Sequence, residues 1–237
     1  MGKFLIFGAT GSIGSNLANK LYEADKEIHL IGRDEEELTK LSSKLSCSYS
    51  VLDVLSENSF DKIKNEFKDA NIAGIAYCIG SIDLKPLSIA KRKDFQECLN
   101  LNFFPIVEII QSLQDNLKRN NGSVVLFSTI AVQKGFTNHS IIASIKGAIE
   151  GLTVSLAAEF APSIRVNCIA PSITNSKISR PILKSKIISD GIAKKHPMKR
   201  IGEGEDSAAM AKFLLTKESS WITGQIIGID GGRSKIA

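Results

Sequence analysis

The stretch Gly8-Ala9-Thr10-Gly11-Ser12-Ile13-Gly14 follows a short apolar run and opens a helical pattern. Glycines at this spacing let a backbone turn sharply and come close to a pyrophosphate, while the helix behind them offers unpaired N–H groups and a partial positive charge. Strand, glycine turn, helix is the context in which such a cluster holds a dinucleotide. Gly8, Thr10, Gly11, Ser12, Ile13 and Gly14 are therefore read as a phosphate cradle. The second apolar run ends Leu30-Ile31-Gly32-Arg33. A carboxylate there would accept from an adenosine 2′-hydroxyl, whereas the guanidinium of Arg33 can donate two bonds to a 2′-phosphate, which selects NADP(H). Asp34, next in line, reads as the cap of the following helix.

These residues need a scaffold that brings them to one edge. Lys3-Phe7, Glu27-Ile31, Ser48-Leu52, Ile72-Ile79, Ser123-Phe127, Ile164-Ile169 and Gln225-Ile229 read as strands. Between them lie helical patterns over Ile13-Ala24, Glu35-Leu45, Asn58-Lys68, Phe95-Leu117, Ser140-Phe160 and Glu205-Leu215. Strand–helix–strand repeats with short connections demand parallel strands and right-handed crossovers. The expectation is an α/β fold, a doubly wound parallel sheet of the Rossmann type with about seven strands and helices on both faces. One domain is expected over residues 1–237, with a basic segment at about 174–200 placed as a lid over the carboxyl ends of the strands.

Composition narrows the classes. The 237 residues carry a net charge of +5, with 43% apolar and 23% charged residues, an ordinary globular balance. No run approaches the roughly 20 uninterrupted apolar residues of a membrane span, and the first residues lead into the glycine turn, so no membrane association and a cytoplasmic location are expected. Cys47, Cys78, Cys98 and Cys168 lack the spacing of a zinc site or a disulfide framework, so no metal is expected. Residues 177–200 hold eight basic side chains against Asp190 alone, while the remainder holds 22 basic and 24 acidic residues. A basic segment on a near-neutral body argues against nucleic-acid binding.

Further motifs carry a family resemblance. Leu52-Asp53-Val54, Asn100-Leu101-Asn102, Lys146 within Ser140-Ile141-Ile142-Ala143-Ser144-Ile145-Lys146-Gly147, Arg165-Val166-Asn167-Cys168-Ile169-Ala170-Pro171 and Trp221-Ile222-Thr223-Gly224-Gln225 through Asp230-Gly231-Gly232 resemble the short-chain dehydrogenase/reductase family along essentially the whole chain. The resemblance implies that Asp53 accepts from the adenine amino group and Val54 packs on that ring. It implies that Asn100 braces the active-site helix and holds a relay water, with Asn102 in its place if the register slips by two. Lys146 would hydrogen-bond the nicotinamide ribose. The Pro171-Ser176 turn, with Ser172 where glycine is usual and Thr174 after it, would hold the carboxamide.

Departures from the pattern are equally informative. The family's general acid is a tyrosine four residues before the lysine, and here that position is Ile142, which cannot donate a proton. Tyr77-Cys78-Ile79-Gly80 stands where the family has Asn-Asn-Ala-Gly, keeping only Gly80 of the cofactor floor. Ser128 or Thr129 supplies the hydroxyl that polarises a carbonyl, Thr129 being thirteen residues before Ile142. His139, His196 or a water held by Asn100 and Lys146 could replace the missing acid; His139 would have to fold back, since two helical turns span about 10 Å. A positioned acid contributes about 10² to 10⁴ in rate, and near-attack positioning can contribute more, so its loss slows a reaction without abolishing it.

The reading is an NADP(H)-dependent oxidoreductase acting on a small carbonyl or alcohol, with an anionic or thioester substrate suggested by the basic segment. Its alternative is a silent NADP(H)-binding sensor or structural protein. The resemblance also implies a homo-oligomer, a tetramer or a dimer, packed through the Phe95-Leu117 and Ser140-Phe160 helices.

Overall fold

A computed structural model describes residues 2–236, so the terminal residues 1 and 237 of the expected domain lie outside the described residues. The first half of the chain forms β1 (Lys3–Phe7), α1 (Ser12–Glu23), β2 (Ile28–Gly32), α2 (Glu35–Leu45), β3 (Ser48–Val51), α3 (Ser59–Glu66), β4 (Ile72–Tyr77), α4 (Arg92–Asn102) and α5 (Phe104–Arg119). The second forms β5 (Ser123–Phe127), α6 (Ala131–Lys134), α7 (Ser140–Phe160), β6 (Arg165–Pro171), α8 (Lys186–Lys194), α9 (Gly204–Leu215) and β7 (Ile226–Ile229). All seven strands run parallel in one sheet, in the order β3-β2-β1-β4-β5-β6-β7. The winding reverses between β1 and β4, and at such a switch point a crevice opens outside the carboxyl ends of the strands.

The period-two alternation of each strand fills two cores. Leu5 and Phe7 of β1 pack on one face with Ile63, Ile109, Leu113 and Ile149, whereas Phe4 and Ile6 pack on the other with Leu17, Leu21, Ala211 and Leu214. Helix α7 is 21 residues long with a mean hydropathy of 1.5, enough by length and composition to cross a membrane. Part of its apolar character is accounted for by packing: Ile141, Ile142, Ile145 and Ile149 are buried, and its contacts run to β6 and α4, while Val154 is exposed.

Two expectations change. The helical pattern read continuously over Phe95-Leu117 breaks at Phe103 into α4 and α5. Pro105 has no amide hydrogen, so it cannot bond the Leu101 carbonyl as the next turn of a helix would require. That carbonyl instead accepts the Tyr77 hydroxyl at 2.7 Å. The basic segment, read as patternless, contains α8, capped by Ser185 accepting from the Ile188 amide. None of its residues is buried, and its apolar face is only the short run of Ile187, Ile188 and Ile192, interrupted by Gly191.

Candidate functional site

A cleft of about 630 Å³ runs along the carboxyl edge of the sheet. At its centre the backbone leaves β1 through Gly8, whose φ of +77° suits glycine. A Cβ on Gly14 would stand 2.3 Å from the Gly8 carbonyl oxygen, so Gly14 seats α1 on the turn and does not itself line the cleft. Gly8, Thr10, Gly11, Ser12 and Ile13 do line it. Gly11 is the N-cap of α1 with no side chain capping the helix, and the first turn holds no acidic residue. The first-turn N–H groups therefore face the cleft as donors for an anion.

At the β2–β3 end stand Arg33, Asp53 and Val54, all lining the cleft. Arg33 is exposed and has no ion-pair partner among the described residues. Asp34 caps α2 by accepting from the Glu37 amide at 3.0 Å, as its position suggested. One Asp53 carboxylate oxygen accepts from the Leu55 amide at 3.0 Å. Lys177, from the segment after β6, pairs with Glu37 of α2 and so ties that segment across this end. Ser12 Oγ adds a second tie, donating to the Asn175 carbonyl at 2.9 Å.

The β4–β6 end contains the reactive groups. Lys146 of α7 is buried, and its Nζ donates to the Phe127 carbonyl at 3.0 Å. Burial disfavours its charged form and lowers its pKa to about 8. A Cβ on Gly80 would lie 3.3 Å from Lys146 Nζ and 3.2 Å from Asn102 Oδ1, so this glycine lets both approach the floor of the cleft. Asn100, expected as the brace, is exposed on the outer side of α4; Asn102, two residues on, is the fully buried one. Asn102 Nδ2 donates to the Cys98 carbonyl at 2.9 Å and its Oδ1 accepts from the Ser81 amide at 3.2 Å. A half-turn of helix separates the two asparagines, and only one of them can face the sheet.

The two adjacent hydroxyls also separate. Ser128 is buried away from the cleft, donating to Glu150 Oε1 at 2.7 Å and lying 3.2 Å from the Lys146 carbonyl, so it fastens α7 to β5. Thr129 lines the cleft, its Oγ1 accepting from the Ala131 amide at 3.3 Å. Its hydroxyl hydrogen remains available to a ligand. Ile142, Lys146 and His139 line the same cleft. His139 is the N-cap residue of α7, and its Nδ1 lies 2.7 Å from the Thr137 carbonyl. A carbonyl can only accept, so Nδ1 carries hydrogen and Nε2 is left for the cleft.

His196 does not serve the cleft. It is 2% exposed and locked between the Ile192 carbonyl, 2.9 Å from Nδ1, and the Ser172 hydroxyl, 2.8 Å from Nε2. Pro171, Ser172 and Thr174 line the cleft from β6, and Thr174 Oγ1 donates to the Ser172 carbonyl at 3.0 Å. Tyr77 is spent on Leu101, and desolvation raises its pKa further.

Sequence reasoning missed Arg233, Phe136 and Lys195, which line the Ser172 end. The signal for Arg233 was a cation directly after Asp230-Gly231-Gly232, a turn that returns the chain to the carboxyl edge. Over the whole cleft, Arg33, Lys146, Lys177, Lys195 and Arg233 face Asp53 as the sole lining carboxylate among the described residues. The open first turn of α1, the unpaired Arg33 and this cationic lining fit a phosphorylated dinucleotide.

Known proteins agree with that geometry. A family model described as enoyl-(acyl carrier protein) reductase matches residues 8–234. A tropinone reductase homolog of Arabidopsis thaliana is 28% identical over 96% of this chain and 90% of its own length. Carbonyl reductase family member 4 of Xenopus laevis is 30% identical over 96% of this chain and 95% of its own. Among solved structures, ElxO with NADP bound superposes with a TM-score of 0.89 at 27% identity, covering 98% of each chain.

Proposed function

Because this chain belongs to the short-chain dehydrogenase/reductase family, whose members are oxidoreductases, we propose that it is an NADP(H)-dependent enzyme interconverting a small carbonyl compound and its alcohol. One observation supports this reading above the others: a single cleft joins the uncapped first turn of α1 and the unpaired Arg33 at one end to Thr129 and the buried Lys146 at the other. The NADP bound to ElxO agrees with the choice made at Arg33. NADP(H), when bound, supplies or accepts the hydride.

The chain's own residues do the rest. The α1 first turn holds the diphosphate, Arg33 the 2′-phosphate, Asp53 and Val54 the adenine, and Pro171, Ser172 and Thr174 the carboxamide. Lys146 holds the nicotinamide ribose, braced by Asn102. Thr129 donates its hydroxyl hydrogen to the substrate oxygen, favouring the polarised carbonyl. Ile142 keeps water from the reacting carbon but delivers no proton. The proton taken by the substrate oxygen on reduction comes from His139 Nε2 in its imidazolium form.

The assay is nucleotide oxidation at 340 nm with ketones, aldehydes and 3-oxoacyl thioesters, beside NADPH and NADH titrations. Saturable NADPH binding with turnover of one class is expected. Binding with silence across that panel would instead support a sensor role. The reading extends to a cytoplasmic homo-oligomer, dimer or tetramer, supported by exposed Phe104, Val154 and Trp221. Light scattering that returns a monomer mass would overturn that extension.

A further inference from the structure

Among the cationic groups of the cleft, Arg233 has no part in holding the nucleotide. Arg33 and Lys177 stand at the α2 end, whereas Arg233 stands at the opposite end beside Ser172. The Arg233 guanidinium lies over the Phe136 ring at 4.6 Å and is 3.5 Å from Ser172 Oγ. It forms no ion pair among the described residues. The carboxylate that acts on it, Asp230, is occupied by backbone, accepting from the Gly232 amide at 2.9 Å and the Ser234 amide at 2.7 Å. Partial burial strips the guanidinium of water and lowers its pKa, with Asp230 acting in the other direction. A half-buried guanidinium with five donors and one long contact lacks an anion.

Its position relative to the reacting group follows from the sheet. Thr129 lies just past the end of β5, Ser172 just past β6 and Arg233 just past β7. The Pro171 carbonyl accepts from the Ile130 amide at 3.1 Å, which holds the β5 and β6 ends together. Neighbouring strands lie about 4.8 Å apart, and the Arg233 side chain reaches back to Ser172, so its charge stands at the end of the strand next to the Thr129 line. That separation suits an anion a few bonds from a carbonyl. A planar fork carrying one charge, seated on an aromatic face, matches a planar monoanion.

We propose that Arg233 binds the carboxylate of an oxo-acid substrate and sets the enzyme's preference for such acids over neutral ketones. This rests on the oxidoreductase reading of the cleft and deepens it by naming the substrate class. Phe136 fixes the guanidinium plane, and Ile142 and Ile182 supply an apolar wall for the carbon chain between the two polar ends.

The test is calorimetric titration of pyruvate, acetoacetate and levulinate, each beside its methyl ester, with and without saturating NADPH. At least one acid is expected to bind about tenfold or more tightly than its ester, the size of a lost charged hydrogen bond. Arg233→Gln is expected to bring that ratio to near one, and Arg233→Lys to leave it between. The backbone carbonyl of residue 233, which Lys134 Nζ holds at 2.7 Å, survives both changes, and a melting curve checks that each variant is folded. No acid preferred over its ester in the unaltered protein, or a preference kept by Arg233→Gln, overturns the proposal. Failure of NADPH to bind would sink the cofactor reading alone, because the acid–ester ratio on the nucleotide-free protein still decides the role of Arg233.

Discussion

At the β1–β3 end of the cleft the groups that face a phosphate arrive uncommitted, although Lys177, Ser12 and Asp53 are bonded within the protein. Arg33 has no ion-pair partner among the described residues, and the first turn of α1 has no side-chain cap. At the β4–β6 end most are already spent on the fold: Ser128 on Glu150, Ser172 on His196, Tyr77 on Leu101 and Lys146 Nζ on the Phe127 carbonyl. Thr129, His139 and Arg233 are exceptions there, each with hydrogen-bonding capacity left for the cleft. The contrast teaches that binding and turnover are separable in this fold. The nucleotide end resembles a general-purpose grip, whereas the reacting end presents Thr129 and buried Lys146 with an isoleucine, Ile142, one helical turn before the lysine.

The sharpest way to break the contrast is Ile142→Tyr, which restores a hydroxyl one helical turn before Lys146. We expect turnover to rise by about 10² to 10⁴, measured as kcat with the best substrate from the 340 nm assay. An unchanged kcat would show that the framework around it has drifted too. Acid should expose the nucleotide half next. Buried His29 on β2 sits between Ser48 Oγ and Ser50 Oγ, each at 2.7 Å, and burial, with Lys3 adding to it, lowers its pKa from 6.5 to about 4 even though Glu66 Oε1 lies 3.5 Å from Nε2. The unfolded chain then binds more protons between those values, so stability is full above pH 6.5 and falls as pH drops toward 4, by up to about 3 kcal/mol. Melting temperatures read over that window should follow this slope in the parent and lose much of it in His29→Gln.

A smaller effect comes from Arg33→Ala, expected to weaken NADPH binding by about 10- to 100-fold while leaving NADH little changed. Equal loss for both nucleotides would mean that the side chain serves the fold. The smallest effects distinguish neighbouring hydroxyls. Ser128→Ala should cost about 1–2 kcal/mol in denaturant unfolding, while Thr129→Val should lower kcat with little change in stability. A reversal of these two outcomes would exchange their roles.

Much of this arrangement was legible in the residues. The strands showed themselves because both faces of a parallel sheet are buried, which leaves short apolar runs between helical stretches. The glycine turn and Arg33 were legible because their chemistry is local. What escaped depended on single-residue orientation or distant partners. Whether Ser128 or Thr129, Asn100 or Asn102, faces the cleft is a matter of one or two positions on a strand end or helix, which spacing alone does not settle. Helix α8 is short and carries Gly191, so the Ile188 and Ile192 pair was too brief to announce a helix. Arg233 reads as surface until Phe136 and Ser172, far away in sequence, are seen beside it.

The bond from the Tyr77 hydroxyl to the Leu101 carbonyl has a mechanical consequence. It fastens the end of β4 to the junction of α4 and α5, at a carbonyl that Pro105 leaves without a helical partner. That junction lies beside Asn102, so strand end and helix corner move as one joint.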